Sequence, residues 1–217
     1  MTRRRPGARR LTSAAAHLTG PRGRYLAGIL VVGSVIGVLV AAVMPHATPA
    51  AEGVGRSAPF GRSIDPYARY VEQARCDQTP KPGIVDVRNL LVTAYGSRWS
   101  GISGDCSGAL PSEHKEGRAL DIAFDAGTPS DRAKADDLLR WLLATDEYGN
   151  AHAMARRLGV MYIVWNRHIW RSYRPAAGWQ PYTGTPNPHT DHIHLSFSWD
   201  GALRRTTWWT EGVSTAN

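Results

Sequence analysis

Cysteine is scarce in this chain, with only 2 among 217 residues, Cys76 and Cys106. An isolated pair argues against a cysteine-built metal or redox centre. No internal repeat is visible, which excludes a solenoid or a propeller. Acidic residues are absent from the first 24 positions, which hold seven arginines (Arg3, Arg4, Arg5, Arg9, Arg10, Arg22 and Arg24). The formal net charge is +8, yet everything after Arg24 carries 19 basic against 18 acidic residues. A surface that tracks phosphates needs Lys and Arg clustered on the folded body. A nearly neutral body does not supply that, so nucleic acid is excluded as the partner behind the basic charge. With 42% hydrophobic and 20% charged residues, the chain is not wholly disordered.

Charge is also missing from Tyr25 to Met44, a run of 20 residues reading YLAGILVVGSVIGVLVAAVM. A helix of that length rises about 30 Å, enough to cross a bilayer core. Arginines precede the run and none follows directly, so the positive-inside rule puts the body outside the cytoplasm. Two fates are open: a retained signal anchor, or a signal peptide cut near Thr48–Pro49–Ala50. The run exceeds the roughly 7–15 apolar residues of a signal peptide core, which leans towards the anchor. The expected organisation is a basic cytoplasmic segment (1–24), the apolar helix (25–44), a flexible linker rich in Ala, Gly, Pro and Ser (45–64), one folded domain (65–209) and a tail (210–217). The expected location is the cell membrane with an extracellular domain, or the cell wall after secretion. In such a compartment Cys76 and Cys106 read as a structural disulfide, with two separate buried thiols as the alternative.

Within the domain, helices are expected at Tyr67–Ala74 and from Pro82 to about Tyr95, the latter with Val85, Leu90, Leu91 and Ala94 inward. Thr128 and Pro129 open another, with Ala135, Leu138, Leu139 and Leu142 inward, and Ala151–Leu158 forms one more, stopped by Gly159. Strands are expected at Ala119–Phe124, Val160–Trp165, His168–Tyr173 and His192–Phe197. This mixture predicts an α+β fold with a small, mostly antiparallel sheet and flanking helices. Most tryptophans read as core. Glu113 and Glu116 read as solvent-exposed by default.

Two short segments carry the chemistry: Ser112–Glu–His114–Lys–Glu–Gly117–Arg–Ala119–Leu–Asp121 and His189–Thr–Asp191–His192–Ile–His194. A hydrolytic zinc takes imidazole and carboxylate ligands and leaves one position open. His192 and His194 stand two apart, so a strand points both to one face. In an ideal strand Asp191 points the other way. Gly117 and Ala119 allow a close backbone reversal between His114 and Asp121.

The pattern S-x-H-x-x-G-x-A-x-D followed by D-H-x-H resembles the zinc D-Ala-D-Ala carboxypeptidase family and its relatives, the D-Ala-D-Ala dipeptidases and murein endopeptidases. More loosely, Cys76 to about Trp199 looks like a domain of exported actinobacterial cell-wall proteins. The resemblance implies a zinc site on the sheet, with His114, Asp121 and His194 as ligands. It implies that Asp191 is the catalytic acid/base, with His192 beside the metal, orienting Asp191 or stabilising the intermediate. Ser112 shapes the turn and His189 is a further candidate. Carboxypeptidase relatives hold the substrate's carboxylate with an arginine, for which Arg98 and Arg88 are the candidates.

The function implied is zinc-dependent hydrolysis of D-amino-acid-containing bonds in peptidoglycan stem or cross-bridge peptides. The alternative is an inactive relative that binds cell-wall peptide or serves as an envelope partner platform.

Overall fold

The computed structural model describes residues 60–184 and 188–211. The basic segment, the apolar run 25–44, most of the linker and the end of the tail lie outside the described residues. Among the described residues no helix is long and apolar enough to cross a membrane.

Six strands form one open sheet: β1 (Ser100–Gly101), β2 (Ala119–Ala123), β3 (Val160–Trp165), β4 (His168–Arg171), β5 (Gln180–Pro181) and β6 (His192–Phe197). Their order is β1-β2-β6-β3-β4-β5, and each neighbouring pair is antiparallel. The helices are α1 (Pro82–Tyr95), α2 (Pro129–Leu143), α3 (Ala153–Arg157) and two single turns, α4 (Trp199–Ala202) and α5 (Thr207–Thr210). The fold is α+β.

Strand alternation divides the sheet into two chemically different faces. Leu120, Ile122, Ile163, Trp165, Ile193, Leu195 and Phe197 lie in the apolar core. The helices supply the other half of that core: Ile84, Val87, Leu91 and Tyr95 from α1, and Ala135, Leu138 and Leu142 from α2. Residues of opposite parity, Asp121, Tyr162, His192, His194 and Ser196, belong to the other face. Helices therefore cover one side, and the polar side chains gather on the other.

The helix ends follow local rules. Pro82 and Pro129 sit in the first turns of α1 and α2, where a missing N–H costs nothing. Gly96 closes α1 in the left-handed region and donates its N–H to Val92 O. The buried stripe of α1 is rotated from the expected one: Leu91 is inward, whereas Val85, Leu90 and Ala94 only flank the core. The expected helix at Tyr67–Ala74 does not form. Its polar groups find distant partners instead: Val71 O accepts from Arg118, and the N–H groups of Ala74 and Arg75 bond Glu116. The segment is an extended strap laid against the polar side of the domain.

Cys76, just after the strap, is bonded to Cys106 in the loop after β1, with the Cα atoms 5.9 Å apart and a sequence separation of 30. Closing such a loop stabilises the fold by about 3–4 kcal/mol in the chain-entropy account. Replacing both cysteines by serine is therefore expected to lower the denaturant-unfolding free energy by about that amount. Unchanged unfolding would contradict this role.

Candidate metal centre

Ser112 opens a tight 3-10 turn, Glu113–Glu116, and its hydroxyl accepts from the N–H of His114. Gly117 ends the turn at φ 61°, and a Cβ there would stand 2.1 Å from the carbonyl oxygen of Thr79. Both the backbone conformation and the close approach require glycine. The chain then enters β2 and brings Asp121 directly opposite His194 of β6.

That register makes side chains converge. Asp121 Oδ1 lies 3.2 Å from His114 Nε2, 2.9 Å from His194 Nδ1 and 3.6 Å from His192 Nε2. His114 Nε2 and His194 Nδ1 are 3.2 Å apart. Among the described residues, His114, Asp121 and His194 form the group whose ligand atoms all lie within 4.8 Å of one another.

The far nitrogen of each ring is held by a different partner. His114 Nδ1 lies 2.7 Å from Ile102 O, which can only accept, so His114 donates there. His192 Nδ1 donates to Asp191 Oδ1 at 2.8 Å. His194 Nε2 lies 3.2 Å from Ser196 Oγ, whose own hydroxyl donates to Glu113 Oε2 at 3.0 Å. With those protons placed outward, the lone pairs of His114 Nε2, His192 Nε2 and His194 Nδ1 face one carboxylate oxygen. Such electron-rich atoms repel unless a cation or a proton lies among them.

Without a metal, a proton takes that place. Burial alone pulls His114 down, but the hydrogen bond and charge of Asp121, helped by Ile102 O and Glu113, outweigh it and raise its pKa. Burial pushes Asp121 up, yet His114 and His194 hold its carboxyl well below the usual range. Ligand atoms about 2.0–2.2 Å from a tetrahedral zinc stand about 3.3–3.6 Å apart. The separations of 3.2 and 3.2 Å at His114 lie near that range, and the 2.9 Å between Asp121 and His194 is shorter. Gly101, Ser103, Gly104, Ser112, His114 and Asp121 line a cleft of about 250 Å³ that opens onto the group.

The other candidate residues fall in different places. Asp191 lies beyond the His192 ring as seen from Asp121, and its side chain is 58% exposed. His189 is buried against His192 and His194, with ring centroids 4.7 and 5.6 Å away. Arg98 is bound to Asp131 in the first turn of α2 and Arg88 to Asn89, so neither reaches the cleft lining. Trp99, 42% exposed, packs against His192.

Glu113 and Glu116 are not solvated: both are buried, at 3% and 1% exposure. Glu116 takes Arg118 Nε at 2.7 Å, while Glu113 accepts from Ser196 and Tyr162. Arg118, fully buried, also donates to Phe197 O and Val71 O, joining the turn, β6 and the strap. Burial and the nearby Glu113 charge push the Tyr162 hydroxyl pKa up. Sequence reasoning missed Arg118, Tyr162 and Ser196. For Ser196 the signal was present, because it continues the H-x-H parity of β6.

Fold and site together define an α+β domain with a histidine–carboxylate centre on the face of its sheet that the helices leave open. Residues 76–193, more than half of the chain, match the model of the family described as VldE, C-terminal domain. The chain belongs to that family. The match takes in His114, Asp121, Asp191 and His192 and stops one residue before His194. No curated protein and no solved structure matches the chain.

Two outcomes follow from this geometry. Arg118→Ala removes the guanidinium from the buried Glu116 carboxylate and is expected to cost about 3–5 kcal/mol in unfolding free energy. A loss within experimental error would contradict the arrangement. In metal-free protein the depressed Asp121 stabilises above its ordinary range near pH 4, and that contribution is lost as pH falls through the lowered pKa. The raised His114 stabilises below its ordinary value of about 6.5, and that contribution is lost as pH rises through the raised pKa. Thermal melts of metal-free wild type and His114→Asn should therefore differ most between about pH 4 and 6.5 and converge at alkaline pH. A gap that widens with pH would contradict the pairing.

Proposed function

We propose that this domain is a zinc-dependent peptidase that hydrolyses D-amino-acid-containing peptide bonds of peptidoglycan outside the cytoplasmic membrane. One observation carries the reading: His114 Nε2 and His194 Nδ1 converge on Asp121 Oδ1, while their outer nitrogens lie within hydrogen-bond distance of Ile102 O and Ser196 Oγ. The two motifs, S-x-H-x-x-G-x-A-x-D and D-H-x-H, supply the resemblance to peptidoglycan metallopeptidases. The disulfide and the charge-free run before the domain support an exported location.

His114, Asp121 and His194 would hold the metal. When bound, zinc supplies polarisation of the scissile carbonyl and makes water acidic near neutral pH. The chain's own contribution to proton transfer is the Asp191–His192 pair. Asp191 holds Nδ1–H of His192 and turns Nε2 towards the centre. A proton accepted at that Nε2 forms an imidazolium beside the Asp191 carboxylate, which stabilises it, and the proton then passes to the leaving amine. The cleft beside His114 and Asp121 receives the peptide. Trp99 packs on the His192 ring.

A second reading is a cell-wall peptide binder without turnover. It draws support from the position of Asp191 across the His192 ring and from Arg98 being engaged away from the cleft.

Metal analysis of protein purified without chelator, paired with digestion of peptidoglycan, separates the two. One zinc per chain is expected, with muropeptide products that Asp191→Ala forms about 10²–10⁴-fold more slowly while keeping its zinc. Absence of zinc overturns the site, and zinc without cleavage favours the binder.

A further inference from the structure

Asp121 creates a competition at His194. Its Oδ1 lies 2.9 Å from Nδ1, so an isolated Asp–His pair would draw the ring proton onto Nδ1 and block the lone pair that faces the centre. The opposing influence is at the other end of the ring. Ser196 Oγ lies 3.2 Å from Nε2, and a serine hydroxyl can either donate to a ring nitrogen or accept from it. Alone, it leaves the tautomer open. Glu113 decides the direction: its Oε2 takes the Ser196 hydroxyl proton at 3.0 Å, leaving only lone pairs for His194.

Glu113 is not needed where it stands to neutralise Arg118. Glu116 takes that role at 2.7 Å, whereas the nearest Glu113 oxygen is 4.0 Å from the guanidinium. The close partners of Glu113 are two hydroxyls, Ser196 and Tyr162. Ser196 is fully buried and Glu113 is 3% exposed, so water is a poor substitute for either. The Tyr162 ring stacks on His194 with centroids 5.5 Å apart and limits its rotation.

We propose that Ser196 and Glu113 are positioning residues, a buried relay that sets His194 in its Nε2–H tautomer and frees Nδ1 for the metal. The inference rests on the zinc reading above. Outer partners of this kind orient metal-binding imidazoles, and their loss weakens metal binding about 10–100-fold. Glu113 and Ser196 touch no substrate; they act through His194.

The test uses the full chain with ¹⁵N-labelled histidine. Nitrogen chemical shifts of the metal-free protein above neutral pH report the His194 tautomer, and competition with a chelator reports zinc affinity. Wild type is expected to show Nε2–H. Ser196→Ala removes the acceptor, and Glu113→Leu removes the group that takes the serine proton, so that the serine can donate to Nε2. Both are expected to shift His194 towards Nδ1–H and to weaken zinc binding about 10–100-fold. Should Ser196→Ala fail to fold, as judged by its thermal melt, Glu113→Leu gives the same reading. Wild-type tautomer and affinity in the folded variants would overturn the relay while leaving the zinc site standing. A wild type that binds no zinc would overturn both.

Discussion

The site depends on a register. Antiparallel pairing of β2 with β6 sets Asp121 opposite His194, and Ser196 follows two residues on along the same face. A slip of one residue would turn His192, His194 and Ser196 into the apolar core and bring Ile193 and Leu195 to the polar face. The core forbids it, because Leu120, Ile122, Ile193 and Leu195 are fully buried against the helices. Hydrophobic burial on one side of the sheet thus fixes, without any polar contribution, where the electron-rich atoms lie on the other.

A second constraint is the buried polar layer behind the centre. Arg118 binds Glu116, Phe197 O and Val71 O, so the turn that carries His114 is tied to the end of β6 and to the strap. The disulfide draws the loop after β1 to the same strap. Gly101 of β1 and the loop residues Ser103 and Gly104 line the cleft. These ties reach parts of the chain remote in sequence, and they meet around the residues that converge on Asp121. Under the proposed zinc reading, preorganisation of this kind would let a metal enter an arranged set of ligands, so that its binding free energy is not spent on building them.

Much of this was legible in the sequence where the information is local. Alternation located β2 and β6, a β-branched and aromatic run located β3, and Pro82 opens α1 in the fold because it acts within one turn. The period of two in H-x-H put His192 and His194 on one face. The strap was not legible: Tyr67–Ala74 has no helix-breaking residue, and its extended form comes from Glu116 and Arg118, which lie more than forty positions away. Glu113 and Glu116 read as solvated because a carboxylate alone is costly to bury. Their burial makes sense only once Arg118, Tyr162 and Ser196 surround them. Arg98 showed the opposite limit: a residue type suited to a carboxylate anchor was already engaged by Asp131. Proton placement on His114 and His194 was beyond the sequence, because it depends on Ile102 O and, through Ser196, on Glu113, which tertiary contacts bring in.

The central claim is that the centre on the open face is a zinc site made by His114, Asp121 and His194. X-ray absorption at the zinc edge of the loaded protein tests it directly. The account predicts a four-coordinate shell of nitrogen and oxygen at about 2.0–2.2 Å, with the outer-shell scattering of two imidazoles, reduced to one in His194→Ala. A shell of oxygens alone without imidazole scattering, or a spectrum unchanged in His194→Ala, would contradict it.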